Sequence, residues 1–134
     1  MENQLQICSF EQAKRLKELG FDWECNSYFE LDGSLINHQD YWDYNGEEYY
    51  QWSGDIGVTS APTVALALQF IRNNKNVFSC VDFAVANFRK GYYWNYFSFE
   101  NKDICDKTDD LFGSYELAES ALLNKLLTIL EKQL

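Results

Sequence analysis

Apolar residues recur at helical spacing in three separate stretches of the chain. The stripe in the first stretch consists of Phe10, Ala13, Leu16 and Leu19. This spacing is typical of an amphipathic helix that packs one face against a core. Ser9 with Gln12 three residues later has the form of a capping box, and Gly20 is typical of the residue that follows a helix. We therefore predict a helix between Ser9 and Gly20.

The second helical stretch is predicted to begin at Ser60 or Ala61. Pro62 would then lie in the first turn, where no backbone donor is needed. Apolar residues cover most of the circumference as far as Ile71, so we predict that this helix is the most buried of the three. It ends in the sequence Asn-Asn-Lys-Asn at positions 73 to 76.

The third helical stretch runs from a cap at Ser114 to about Lys132. Its core stripe consists of Ala118, Leu122, Leu126, Ile129 and Leu130. Leu123, Leu127 and Leu134 widen that stripe beyond what one sheet face needs. One hypothesis is that these extra leucines pair two copies of the chain.

Strands are predicted from runs of β-branched and aromatic residues between turn signals. Two short strands, Ser27–Leu31 and Ser34–Asn37, are separated by the tight-turn dipeptide Asp32-Gly33. Two longer strands, Val77–Ala86 and Tyr92–Phe99, form the strongest hairpin pattern in the sequence. Both faces of the first long strand are largely apolar, which is typical of a strand inside a covered sheet.

The order of predicted elements is α-β-β-α-β-β-α. It favours an α+β fold in which three helices pack against an antiparallel sheet. The helix starts at Ser9, Ala61 and Ser114 lie 52 and 53 residues apart, and each is followed four positions later by alanine. Either an internal duplication or the shared chemistry of helix caps accounts for this regularity. With 134 residues, we expect residues 1–134 to form a single domain.

Charge singles out one part of the chain. The net charge is −10, and between Glu18 and Ile71 there is no lysine or arginine but ten aspartates and glutamates. The rest of the chain has equal numbers of acids and bases. A protein that binds nucleic acid directly needs a basic surface, so this class is excluded.

Acidic and aromatic side chains are densest between residues 38 and 57. We call the following set the acidic-aromatic block: Tyr41, Trp42, Asp43, Tyr44, Glu47, Glu48, Tyr49, Tyr50, Trp52 and Asp55. Tyrosine and tryptophan are enriched at binding hot spots, and carboxylates beside them attract a basic partner. A partner-binding surface and an ordinary strand pair with inward-facing aromatics both remain open. Asn45-Gly46 would turn a hairpin, whereas the glycines of this segment favour a long loop.

The sequence contains few arrangements that would support catalysis. His38 with Asp40 and Asp43 resembles a base with orienting carboxylates, but no serine nearby has the setting of an exposed nucleophile. The four cysteines and one histidine do not form a zinc ligand set, and no phosphate-binding glycine motif occurs. We therefore expect no cofactor, no metal and no catalytic residue.

The sequence indicates a cytoplasmic, soluble protein. Its first residues lack the pattern of a secretory signal, and its longest apolar run is too short to span a membrane. We therefore expect reduced, mostly buried thiols at Cys8, Cys25, Cys80 and Cys105.

Three segments carry a resemblance: Leu16-Lys-Glu-Leu-Gly-Phe21, Thr59-Ser-Ala-Pro-Thr63, and the stretch from Ser114 to Leu126 that begins Ser-Tyr-Glu-Leu-Ala-Glu. The chain resembles a family of short uncharacterised proteins of Bacteroides and related gut bacteria, often found in phage or mobile-element settings. The resemblance implies a bacterial or phage accessory protein and implies no catalytic residues.

Three functions follow from the sequence as hypotheses. The first is a non-enzymatic interaction protein, monomer or homodimer, that binds a basic protein through the acidic-aromatic block. The second is a small enzyme or sugar-binding module whose aromatic side chains stack on a ligand near His38. The third is a homodimeric assembly protein that pairs through its last helix.

Overall fold

Three helices and six strands make up the regular structure of the described residues. The computed structural model describes residues 6–23, 25, 27–37, 58–86 and 88–133. In chain order the elements are α1 (Phe10–Glu18), β1 (Ser27–Glu30), β2 (Leu35–Asn37), β3 (Val58–Ser60), α2 (Val64–Lys75), β4 (Val77–Ala86), β5 (Arg89–Ser98), β6 (Cys105–Lys107) and α3 (Tyr115–Glu131). The strands form two antiparallel sheets, ordered β2-β1-β3 and β4-β5-β6. The α+β class and the predicted succession of helices and strand pairs are confirmed, and a third short strand joins each pair.

The first helix is capped as its sequence predicts. The Ser9 hydroxyl accepts a hydrogen bond from the Gln12 amide at 3.1 Å, and the Gln12 side-chain oxygen accepts one from the Ser9 amide at 3.0 Å. The amide nitrogen of the same Gln12 side chain donates to Ser120 and Asn124 of α3. One buried glutamine therefore both caps α1 and attaches it to α3.

The second helix begins later than the sequence predicts. Its N-cap is Thr63, whose hydroxyl accepts a hydrogen bond from the Leu66 amide at 3.1 Å. The prediction of Ser60 or Ala61 as the start is wrong because residues 58–60 form β3, which pairs with β1. Pro62 lies before the cap, where its carbonyl accepts from the Cys8 amide at 2.9 Å.

The regularity of the helix starts is only partly retained in the structure. Each observed N-cap is followed four positions later by a buried alanine. These alanines are Ala13, Ala67 and Ala118. Ala65, which the sequence places in this role, is only partly buried. Among the described strands, the centre of the first sheet is β1, which comes first of its three strands along the chain. The centre of the second sheet is β5, which comes second of its three. These differences favour shared capping chemistry over a duplicated unit.

A shared core connects the two sheets and includes side chains of α3. Tyr28 of β1 and Trp94 of β5 belong to the same buried cluster. The α3 side chains Leu122, Leu123, Leu126 and Leu127 are completely buried. This helix packs against α1, α2, β4 and β5, which explains why its apolar stripe is so wide. Leu123 and Leu127 are thus not available to pair two chains, and Leu134 lies outside the described residues.

Helices cover part of one face of the second sheet. Val77, Trp94 and Tyr96 face the core, whereas Cys80 and Asp82 on the opposite face are exposed. The prediction that β4 lies within a covered sheet is wrong, because β4 is at the edge of its sheet among the described strands and its inner-face residues Phe83 and Val85 are exposed.

Candidate functional site

The predicted binding residues lie outside the part of the chain that the structure describes. They are His38 together with the whole acidic-aromatic block, namely Tyr41, Trp42, Asp43, Tyr44, Glu47, Glu48, Tyr49, Tyr50, Trp52 and Asp55. Their role stays a prediction. The candidate surfaces below are built from the described residues alone.

The turn between β1 and β2 exposes apolar and acidic side chains together. Leu31 is 83% exposed, and Leu35 is also exposed. Asp32 anchors the turn, because its carboxylate accepts a hydrogen bond from the Ser34 amide at 2.9 Å. Hydrogen bonds from the Ser34 hydroxyl and amide lower the pKa of Asp32, so its negative charge is favoured. We call residues 30–35, which also include Glu30, the acidic turn.

Three phenylalanines form a cluster on the open face of the second sheet. The ring centres of Phe78 and Phe97 are 5.6 Å apart, and the Phe99 ring lies 5.3 Å from the first and 5.1 Å from the second. Phe97 is 41% exposed and Phe99 is 76% exposed. We call this side of the sheet the outer face. Exposed apolar patches often mark binding surfaces, which makes this cluster a candidate.

A polar network lies next to the phenylalanines on the outer face. The Cys80 thiol donates a hydrogen bond to the Asn95 side-chain oxygen at 3.0 Å, and the Asn95 amide group donates to the Asp82 carboxylate at 3.3 Å. Partial burial, and next the charge of Asp82, raise the pKa of the Cys80 thiol. The thiol therefore stays protonated and is a poor nucleophile.

A small polar pocket lies between α2, β4 and α3. It has a volume of about 200 Å³, and its described lining consists of Ala65, Leu68, Gln69, Arg72, Ser79 and Glu119. Glu119 is only 8% exposed. Burial raises the pKa of Glu119, the nearby charge of Glu116 adds to this effect, and a hydrogen bond with Tyr115 opposes it. A lone carboxyl with a raised pKa does not make the two-carboxylate arrangement of acid–base catalysis.

The cysteines divide into two pairs. Cys8 and Cys25 are buried, and burial raises the pKa of each thiol to about 12. Cys80 and Cys105 are exposed, so the prediction of mostly buried thiols is correct for only half of them. All four are free thiols. Within the described ranges, no group of three or more metal-ligating side chains is close enough together to hold a metal ion.

The outer face was not predicted from the sequence as a candidate site. The signal was present in the sequence, because β4 and β5 have apolar residues on both faces of the hairpin. We interpreted that pattern as a covered sheet. Which face the helices cover depends on contacts between distant segments and not on the pattern of either strand.

The chain has no match among known proteins in three comparisons. No protein-family model, curated protein or solved structure matches it. Among the helices of the described ranges, none has both the length and the apolar character that crossing a bilayer requires.

Proposed function

We propose that this is a small non-enzymatic accessory protein of the cytoplasm, of bacterial or phage origin, that binds a basic protein partner. The observation that carries the proposal is the acidic turn, where the exposed Leu31 lies between Glu30 and Asp32. This turn belongs to the stretch that contains ten acids and no lysine or arginine. The resemblance to short bacterial and phage-associated proteins supports an accessory role.

The acidic turn combines the two properties that such binding requires. An exposed leucine supplies apolar contact area, and flanking carboxylates attract cations and orient the encounter. The acidic-aromatic block begins at Tyr41, four positions after the last residue of β2, and also combines carboxylates with large apolar side chains. We propose that the two segments form one binding surface.

The partner is proposed to be a protein whose own site binds nucleic acid. Closely spaced carboxylates resemble the charge of a phosphate backbone, so they fit lysine and arginine side chains that normally contact phosphates. Such a complex should weaken as salt is added, because exposed charges are screened over a Debye length of about 10 Å at 0.1 M salt.

Charge removal at the proposed surface tests the function. The partner is captured from a bacterial lysate with the wild-type chain and purified, and its affinity is measured by calorimetry. The variant Asp43→Asn/Glu47→Gln/Glu48→Gln should bind at least about tenfold more weakly, since it removes three attractive charges. Leu31→Ser should also weaken binding, because it removes the exposed apolar contact of the turn.

A matched variant separates local from general charge effects. Asp103→Asn/Asp109→Asn/Glu116→Gln removes the same number of exposed charges from outside the acid-rich stretch and should bind like the wild type. Equal affinity of both triple variants for the partner, or a captured partner that is acidic, would contradict the proposal.

A further inference from the structure

We propose that two copies of this chain associate through their outer faces, in a two-fold arrangement that sets β4 of one copy against β6 of the other. The inference does not rest on the proposed function, because the acidic turn belongs to the other sheet. It concerns a different surface and a different partner, a second copy of this chain.

Strand register defines the layout of the outer face in three rows. Phe78, Phe97 and Cys105 lie side by side in the first row, Cys80, Asn95 and Lys107 in the second, and Asp82 and Tyr93 in the third. The rows run across β4, β5 and β6. The apolar row lies at one end of the face, and the charged side chains lie on its two edge strands.

The apolar row supplies the reason for association. Phe97 is on the central strand and remains 41% exposed, although it stacks on Phe78. Burying aromatic surface against a second copy removes it from water, at roughly 25 cal/mol per Å². A two-fold axis that runs along β5 places Phe97 of each copy against Phe97 of the other.

Two unpaired charges select the direction of that axis. Asp82 and Lys107 lie on opposite edge strands of the outer face, and neither forms an ion pair with a described residue. The Asp82 carboxylate leans toward the second row, where it accepts from Asn95 and lies 3.6 Å from the Cys80 thiol.

Rotation about an axis along the strands exchanges the two edges of the sheet. It brings Lys107 of the second copy over Cys80, within reach of the Asp82 carboxylate, and it does so twice by symmetry. An axis across the strands would instead set β6 against β6 and β4 against β4 of the other copy, which keeps Lys107 away from Asp82. Only the axis along the strands brings these opposite charges together, so charge complementarity favours this axis and an aligned packing of the two sheets.

The size of the face sets the strength of the contact. Three strands spaced about 4.8 Å apart make a narrow surface, smaller than the roughly 800 Å² per partner of a stable interface. We therefore expect a weak dimer that dissociates on dilution, with a dissociation constant in the micromolar range.

Sedimentation of the whole chain from low to high micromolar concentration tests the proposal. The wild type should show a monomer–dimer equilibrium. Phe97→Ser should raise the dissociation constant at least about tenfold, because it truncates the central aromatic side chain. Asp82→Lys should raise it about tenfold, because it opposes two positive charges across the interface.

Reversal of both charges distinguishes this interface from other arrangements. Asp82→Lys/Lys107→Asp restores opposite charges between copies and should return the dissociation constant to within about threefold of the wild type. Circular dichroism of Asp82→Lys then checks that the single variant is folded. Leu117→Ser, which truncates a leucine that is 60% exposed elsewhere on the surface, should leave the equilibrium unchanged.

Several outcomes would overturn the proposal. One is a wild-type chain that stays monomeric at the highest concentration. Another is a dimer that is insensitive to Phe97→Ser, as edge-to-edge pairing through β4 would be. A third is failure of the double charge reversal to restore association although circular dichroism shows a native fold.

Discussion

Glu119 shows how much a single residue depends on its surroundings. It lies on α3 among leucines that face the core, yet it lines a polar pocket and accepts a hydrogen bond from Tyr115. Because burial disfavours its charged form, its pKa is raised. A raised pKa means that the folded state holds the proton more tightly than the unfolded chain does. Stability is therefore full at low pH and declines as pH rises through the pKa of the folded state.

We expect Glu119→Gln to stabilise the protein at pH 8 and to have little effect near pH 4. The amide stays neutral at both pH values and still accepts a hydrogen bond from Tyr115. The gain should be at most about 1 kcal/mol, since solvent at the mouth of the pocket screens the charge. Urea unfolding at several pH values measures it, and Asp103→Asn, at an exposed carboxylate, should change the free energy of unfolding by less than about 0.5 kcal/mol. Destabilisation by Glu119→Gln at pH 8 would contradict this account.

At the scale of elements, local signals predicted the helices better than the strands. Ser9 and Ser114 were identified as caps because a capping hydrogen bond reaches only three residues ahead. The short strands β3 and β6 were missed, since each has three residues and is defined only by the strand it pairs with. The start of α2 was predicted too early for the same reason: Ser60, one of the two predicted starts, lies in β3, and the pairing of β3 with β1 was not predicted.

Gly91 of β5 packs closely against the segment that precedes α3. A Cβ atom on Gly91 would lie 2.9 Å from the Leu111 Cβ and 2.9 Å from the Phe112 carbonyl oxygen. Gly91→Ala should therefore lower the free energy of unfolding by about 1–3 kcal/mol. Gly113→Ala, where nothing lies within 4 Å of the added atom, should change it by less than about 0.5 kcal/mol. Urea unfolding of the two variants compares them, and equal values would show that the β5 contact is easily relaxed.

At the scale of the whole molecule, the two sheets are connected through the helices, since α3 packs against β4, β5 and α1, and α1 packs against β3. The leucines of α3 contribute to a core that also contains Tyr28 and Trp94 from the two sheets, and its Asn124 and Glu131 side chains bind Gln12 and Arg15 of α1. A core shared in this way couples the unfolding of both halves.

We therefore expect one cooperative unfolding transition for residues 1–134. The transition measured by tryptophan fluorescence should coincide with that measured by far-ultraviolet circular dichroism. Leu126→Ala, at a completely buried position, should destabilise the protein by about 2–5 kcal/mol and shift both transitions together. Two separate transitions, or a shift in one probe alone, would show that the chain does not unfold as a single domain.

The sequence by itself determined the caps of α1 and α3, the buried face of α1, both main hairpins, and the location of the acid-rich stretch. The caps, the buried face and the hairpins depend on residues that are a few positions apart. The acid-rich stretch is found by counting charged residues, and this count does not depend on the fold. Only the tertiary structure decided where α2 begins, why Leu123 and Leu127 are buried, and which face of the second sheet remains open. Each of these depends on segments far apart in the chain that meet only when it folds. The helices α2 and α3 pack against β4 and β5 on the side of Trp94 and Tyr96, and apolar residues on both faces of β4 do not by themselves specify that side.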